Sequence, residues 1–192
     1  LEKVKLPSTL KTVKSNAFHY DEEITEMILP EGLERIEQGA FWHTEKWLPK
    51  IPSTVTYIGS YAFAESGGDA FPENKNEIIT VPDGISEILE FTFYGTNMNG
   101  IVLPDTVTKI ERSAINVAEM EHVYLPSGIT EIGNEACALW KNITYVTLPK
   151  SIRKLGDKAL IGSTWYPEKY ILGGLFIPSS IQSIGNKILE NN

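Results

Sequence analysis

Residues 125–137, LPSGITEIGNEAC, match residues 51–63, IPSTVTYIGSYAF, column for column. Both place a proline after an aliphatic residue, further aliphatics three and six residues on, a glycine next, and then alanine with a larger apolar residue. The same register runs outward through the whole chain. Eight of the eleven prolines stand at 7, 30, 52, 82, 104, 126, 149 and 178, separated by 23, 22, 30, 22, 22, 23 and 29 residues. Three residues after each comes Leu10, Leu33, Val55, Ile85, Val107, Ile129, Ile152 or Ile181. Six after comes Val13, Ile36, Ile58, Ile88, Ile110, Ile132, Leu155 or Ile184. The pair at ten and eleven after includes Ala17-Phe18, Ala40-Phe41, Ala62-Phe63, Thr92-Phe93, Ala114-Ile115, Ala136-Cys137 and Ala159-Leu160.

Each column has a physical reason. Val123-Tyr124-Leu125 and Val146-Thr147-Leu148 alternate like short strands with their aliphatics on one face. The proline ends the strand, because it has no N–H for a ladder and biases its predecessor to extended geometry. Pro82-Asp83-Gly84 and Pro126-Ser127-Gly128 suit a turn with proline second and glycine fourth. The stretch from three to six after is a second short strand or irregular extended chain. Gly59, Gly133, Gly156 and Gly185 then suggest a bend, and the alanine pair a short helical turn.

A unit of this size cannot bury its apolar side alone, but stacked units can. The chain is expected to be a repeat solenoid of about eight coils, with a parallel β-sheet on the concave face and short strands, turns and helical turns elsewhere. The coils begin near residues 1, 24, 46, 76, 98, 120, 143 and 172, making residues 1–192 a single repeat domain. The first residue is not methionine and no polar cap closes either end, so a stretch of a longer protein is expected.

Composition narrows the function. Seventeen basic and 25 acidic side chains give a net charge of −8, which disfavours a nucleic-acid partner. No apolar run reaches the roughly 18 residues of a membrane span. One cysteine excludes a disulfide framework and a multi-cysteine zinc site.

The segments 125–137 and 51–63 resemble BspA-like leucine-rich repeats, and the similarity extends over essentially the whole chain. The resemblance implies a large secreted or surface-attached bacterial protein that adheres to host proteins or other cells. Family members often carry cysteine fourteen residues after the proline; here that column reads Asp21, Thr44, Ser66, Thr96, Ala118, Trp140, Ser163 and Asn192. Cys137 falls in the phenylalanine column instead, as a small buried apolar residue.

No catalytic constellation is present: His19, His43 and His122 have no metal-ligand spacing, and phosphate-loop and nucleophile-elbow motifs are missing. No enzyme activity, cofactor or metal is expected. The acidic residues Glu22, Glu23, Glu73 and Glu77 read as solvated surface. The solvent-facing strand positions carry more information. His122, Tyr124, Tyr145, Phe176 and Val102 would cluster on the concave face, as exposed aromatic patches do in protein or glycan binding. The two long repeats carry insertions at 65–77 and 163–174, the second with Trp165, Tyr166 and Tyr170. Insertions in a solenoid emerge as loops, so these aromatics define a second candidate, a loop edge that Trp42, Trp47 and Trp140 extend. The expected function is an extracellular binding or adhesion module for a host or neighbouring-cell protein or glycan. The alternative is a structural spacer without its own ligand.

Overall fold

The computed structural model describes residues 2–67, 78–117, 122–137, 145–160 and 174–188. In every coil but the third, the proline lies between two kinds of strand. Three-residue strands precede it: β1 (Lys3–Lys5), β3 (Glu26–Ile28), β6 (Ile78–Thr80), β8 (Gly100–Val102), β10 (His122–Tyr124), β12 (Tyr145–Thr147) and β14 (Gly174–Phe176). Two-residue strands follow five residues after it: β2 (Thr12–Val13), β4 (Arg35–Ile36), β5 (Tyr57–Ile58), β7 (Glu87–Ile88), β9 (Lys109–Ile110), β11 (Glu131–Ile132), β13 (Lys154–Leu155) and β15 (Ser183–Ile184). All pairing among the described residues is parallel, and every paired residue sits beside its equivalent one coil away, as Ile110 does beside Ile88 and Ile132. The stretch after the proline is therefore a second short strand.

The aliphatic columns form the core. Leu33, Ile36, Val55, Val107, Ile110, Ile129, Ile132 and Ile152 are wholly buried, and so are Ala40, Ala62, Ala114, Ala136 and Ala159. The larger residue beside each alanine builds a ladder. Phe18, Phe41, Phe63 and Phe93 stack at 5.4, 5.5 and 5.7 Å between ring centroids. Ile115, Cys137 and Leu160 continue the column.

The turns depart from the sequence reading in two ways. The hydrogen bond runs from the amide three residues on back to the proline carbonyl, as from Val107 to Pro104 (3.0 Å) and Ile152 to Pro149 (3.1 Å). Proline thus opens the bonded turn, where it needs only its carbonyl, and does not stand second in it. Nor is there a helix among the described residues where a helical turn was expected. The amides of Asn16, Phe18 and Tyr20 donate to Gln38, Ala40 and Trp42 of the next coil, while those of Ala17, His19 and Asp21 fold back on the residue three before. A helix would commit each amide to its own chain, leaving none for the neighbouring coil. This alternation requires left-handed backbone nine residues after every proline: Asn16, Gly39, Tyr61, Phe91, Ser113, Glu135, Lys158 and Lys187 all have φ between 49° and 60°.

The expected bend at the column-seven glycines is a place of close approach. A Cβ on Gly156 would stand 2.5 Å from the Asn134 amide nitrogen, and one on Gly185 would stand 2.4 Å from that of Asp157. In the second, third and fourth coils, the column that often holds cysteine in the family is filled by buried hydroxyls. Thr44 Oγ1 donates to the Phe41 carbonyl (2.9 Å), Ser66 Oγ reaches the same carbonyl (3.1 Å), and Thr96 caps Phe93 (3.0 Å).

The third coil has no strand at residues 48–50. Pro49 occupies the inward column that holds Met27 and Ile79 in the flanking coils, and it has no amide to donate. On the β3 side the ladder donor to the Met27 carbonyl would be the Lys50 amide; the indole of Trp47 fills that role, donating from Nε1 at 2.9 Å. The shorter strands break at the next junction: β2, β4 and β5 form one sheet, β7 to β15 another. Between coils three and four the turn-side bonds persist, from Tyr61 to Glu90 (3.1 Å), Phe63 to Thr92 (3.0 Å) and Glu65 to Tyr94 (2.7 Å). In the following coil, the amides of Thr108 and Glu111 donate to Ser86 and Ile88 across the ladder (2.9 and 2.8 Å). The equivalent amides of Ser86 and Leu89 lack that ladder, so their hydrogen exchange is expected to be at least about tenfold faster. Equal protection at both pairs, measured by exchange mass spectrometry or NMR, would show that the ladder runs unbroken.

Candidate functional site

The longer strands point alternate residues to solvent, because a strand's side chains alternate between faces. Met27, Ile79 and Ile101 face the core, so Ile28, Ile78, Thr80 and Val102 project outward. Tyr124 is 68% exposed and in register with Val102, which is 39% exposed and in register with Thr80. Phe176 is 73% exposed beside Thr147. The structure thus brings Val102 and Tyr124 together on β8 and β10, while Phe176 lies in a separate two-stranded sheet of β12 and β14. His122 and Tyr145 are placed as strand backbone, in register with Gly100 and Gly174; their side chains lie outside the described part.

The loop-edge candidates Trp165, Tyr166 and Tyr170 lie outside the described residues, as does Trp140. Trp47 is not on an edge. It is buried, 6% exposed, with its ring 5.1 Å from that of Phe41, because its indole substitutes for a missing ladder donor.

Two features were missed by reasoning from the sequence. The first is Ile28, at 77% the most exposed of the large apolar residues described. Two clefts flank it: one of about 620 Å³ holding Lys3 and Lys5, and one of about 480 Å³ holding Trp47, Leu48 and Lys50. The signal was available, since Ile28 stands two before its proline between the equivalent Lys5 and Lys50. The second is an aromatic belt on the turns of the first four coils. Tyr20 stacks on His43 (4.5 Å), His19 on Trp42 (4.6 Å), and Tyr61 on Phe91 (4.7 Å). His43 also contacts the Glu65 carboxylate through Nε2, with Glu45 3.9 Å from its Nδ1. These rings fall nine, twelve and thirteen residues after their prolines, columns that periodicity alone does not mark as one surface.

Charged residues pair from coil to coil. Lys11 meets Glu34 (2.8 Å), Lys14 meets Glu37 (3.1 Å) and Lys154 meets Glu131 (2.8 Å). Such exposed pairs contribute on the order of 0–1 kcal/mol each and act mainly on register. The Lys14 ammonium holds the Glu37 carboxyl below its ordinary range. Cys137 is wholly buried, and desolvation pushes its thiol far above the usual range, leaving no thiolate for chemistry. Among the described residues no three histidine, cysteine or carboxylate side chains converge as a metal site, and no helix is long and apolar enough to cross a membrane.

The sequence profile of the BspA-type leucine-rich repeat region matches residues 1–68 and 66–192, in six copies. No curated protein matches the sequence. Among solved structures, a leucine-rich repeat protein from Bacteroides ovatus superposes with a TM-score of 0.63 at 15% identity, covering 100% of this chain and 53% of its own. A leucine-rich repeat protein from Eubacterium ventriosum gives 0.57 at 18% identity, covering 96% of this chain and 56% of its own. The pneumococcal vaccine antigen PcpA gives 0.55 at 18% identity, covering 98% and 55%. The chain thus spans about half the length of each of these proteins, and at such identities the likeness concerns the fold.

Proposed function

We propose a binding role for this chain, which belongs to the BspA-type leucine-rich repeat family: it is a non-catalytic module of a secreted or cell-surface protein that holds a host or neighbouring-cell protein or glycan. The observation that carries the reading is the exposed apolar row on the longer strands: Ile28, Ile78, Val102, Tyr124 and Phe176. A parallel sheet stacked in register repeats outward positions at the strand spacing of about 4.8 Å, so the outward side chains of β6, β8 and β10, Val102 and Tyr124 among them, add up to one surface. Exposed aromatics on a rigid frame bury area on binding at low entropic cost. His122 and Tyr145 belong to the same surface by column, and Trp165, Tyr166 and Tyr170 belong to a second one at the loop edge.

The test is a surface-plasmon-resonance screen of the chain against matrix proteins, mucins and glycans, followed by the double variant Tyr124→Ala, Phe176→Ala. Both side chains are exposed, so the variant is expected to keep its melting temperature and to weaken binding about tenfold or more. Binding that is unchanged in the double variant would remove the strand face as the site. A chain that binds nothing in the screen would favour the spacer reading.

A further inference from the structure

We infer that the strand face of the first three coils takes an acidic polypeptide segment with an apolar residue between two carboxylates. The inference rests on reading the strand face as a binding surface and gives that face a partner chemistry.

The protein carries a net charge of −8, yet the outward column of its first three coils reads Lys5, Ile28, Lys50. Lys5 and Ile28 are register partners on β1 and β3, and Lys50 shares the cleft of about 480 Å³ with Ile28. Both lysines are exposed. Elsewhere on these coils, lysines are matched within the protein: Lys3 to Glu26, Lys11 to Glu34, Lys14 to Glu37 and Lys46 to Glu23. Lys5 and Lys50 have no ion pair among the described residues. Glu31 is the one unmatched carboxylate lining that cleft, on the turn side beyond β3; Glu26, also in its lining, is matched to Lys3.

An isoleucine held 77% exposed between two unmatched cations is complementary to an apolar side chain between two anions. Lys5 and Lys50 stand two coils apart, about 10 Å at the usual strand spacing. On an extended segment, every second side chain faces the same way at about 6.6 Å intervals, so Glu-x-Leu-x-Glu presents one leucine between carboxylates about 13 Å apart. The flexible lysine stems cover the difference. The third coil forms no strand beside β3, and the cleft there leaves room beside Ile28 for the leucine. A glycan fits the site less well, since Ile28 offers neither a flat ring nor a hydrogen bond to a hydroxyl.

The probe is the peptide Ser-Glu-Ser-Leu-Ser-Glu-Ser, added to the nitrogen-15-labelled chain and followed by amide chemical shifts. Shifts are expected at residues 3–6, 26–31 and 48–51, with little change at Tyr124. A peptide with lysines for the glutamates, or serine for the leucine, should bind at least about tenfold more weakly. Raising salt from about 50 mM to about 500 mM should weaken the parent peptide severalfold. Lys50→Glu should weaken it about fivefold and Ile28→Asp about tenfold, while both variants, altered only at exposed positions, keep their melting temperature. Equal binding of the lysine peptide, shifts outside these segments, or no shifts at all would overturn the inference. If the peptide fails while the matrix and glycan screen finds a ligand sensitive to Tyr124 and Phe176, this inference alone falls. If the peptide binds and the screen fails, the ligand site is confined to the first coils.

Discussion

Ile110→Asp is expected to split the cooperative melt into two transitions or to abolish folding. Ile110 is wholly buried on β9, inside the five-stranded sheet, with Ile88 and Ile132 beside it in register. Removing the aliphatic side chain alone costs about 2–5 kcal/mol. The carboxylate adds a penalty, since no cation faces this column and the group must be neutralised or drawn toward water. Together these rival a typical folding stability of roughly 5–15 kcal/mol. In a stack where each coil touches only its neighbours, the damage stays local, and the coils on either side can melt separately. Circular dichroism through a urea or thermal melt checks this, with Ile110→Val, expected to cost about 0.5–1.5 kcal/mol, as the control. One unchanged transition in the aspartate variant would show that the register of the columns is wrong.

Phe41→Ala is expected to cost about 3–5 kcal/mol. Phe41 has no exposed surface, stacks on Phe18 and Phe63 at 5.4 and 5.5 Å, and meets the Trp47 ring at 5.1 Å. Its loss leaves a cavity that neighbouring coils cannot close without moving their backbones, because turn-side bonds such as Phe41 to Ala62 (2.9 Å) hold the spacing. It also loosens Trp47, whose indole caps the Met27 carbonyl, so tryptophan emission should shift to the red before global unfolding. Phe41→Leu should cost about 1–2 kcal/mol, since it keeps most of the volume and gives up the ring stacking. The chain supports this ordering: Ile115 and Leu160 fill the same column two coils or more beyond Phe63. A leucine variant as unstable as the alanine one would mean that stacking, rather than filled volume, holds the ladder.

Much of the core was legible because its rule is local and repeats. Leu33, Val55 and Val107 were marked by their distance from a proline, and all are buried. The solvent-facing positions Val102, Tyr124 and Phe176 followed from strand alternation in the same way. Trp47 was misread as an edge residue, since phase within a coil does not reveal that the third coil lacks the strand that would supply a donor to the Met27 carbonyl. The helical turn was misread for a related reason. Ala114-Ile115 fits a helix by composition, and only the Ser113 amide's bond to Asn134 (3.0 Å) shows where the donors go.

The sequence by itself determined the period, the columns and the parallel stack. A unit of some 22 residues with one apolar side has a single economical way to bury it, against copies of itself in register. The tertiary structure decided the rest: the left-handed residue in every turn, the break between coils three and four, the aromatic belt, and the isolation of Ile28 between two clefts. Each depends on what one coil offers the next, and a side chain's partner 22 or 30 residues away is set by packing and hydrogen-bond supply rather than by its own type.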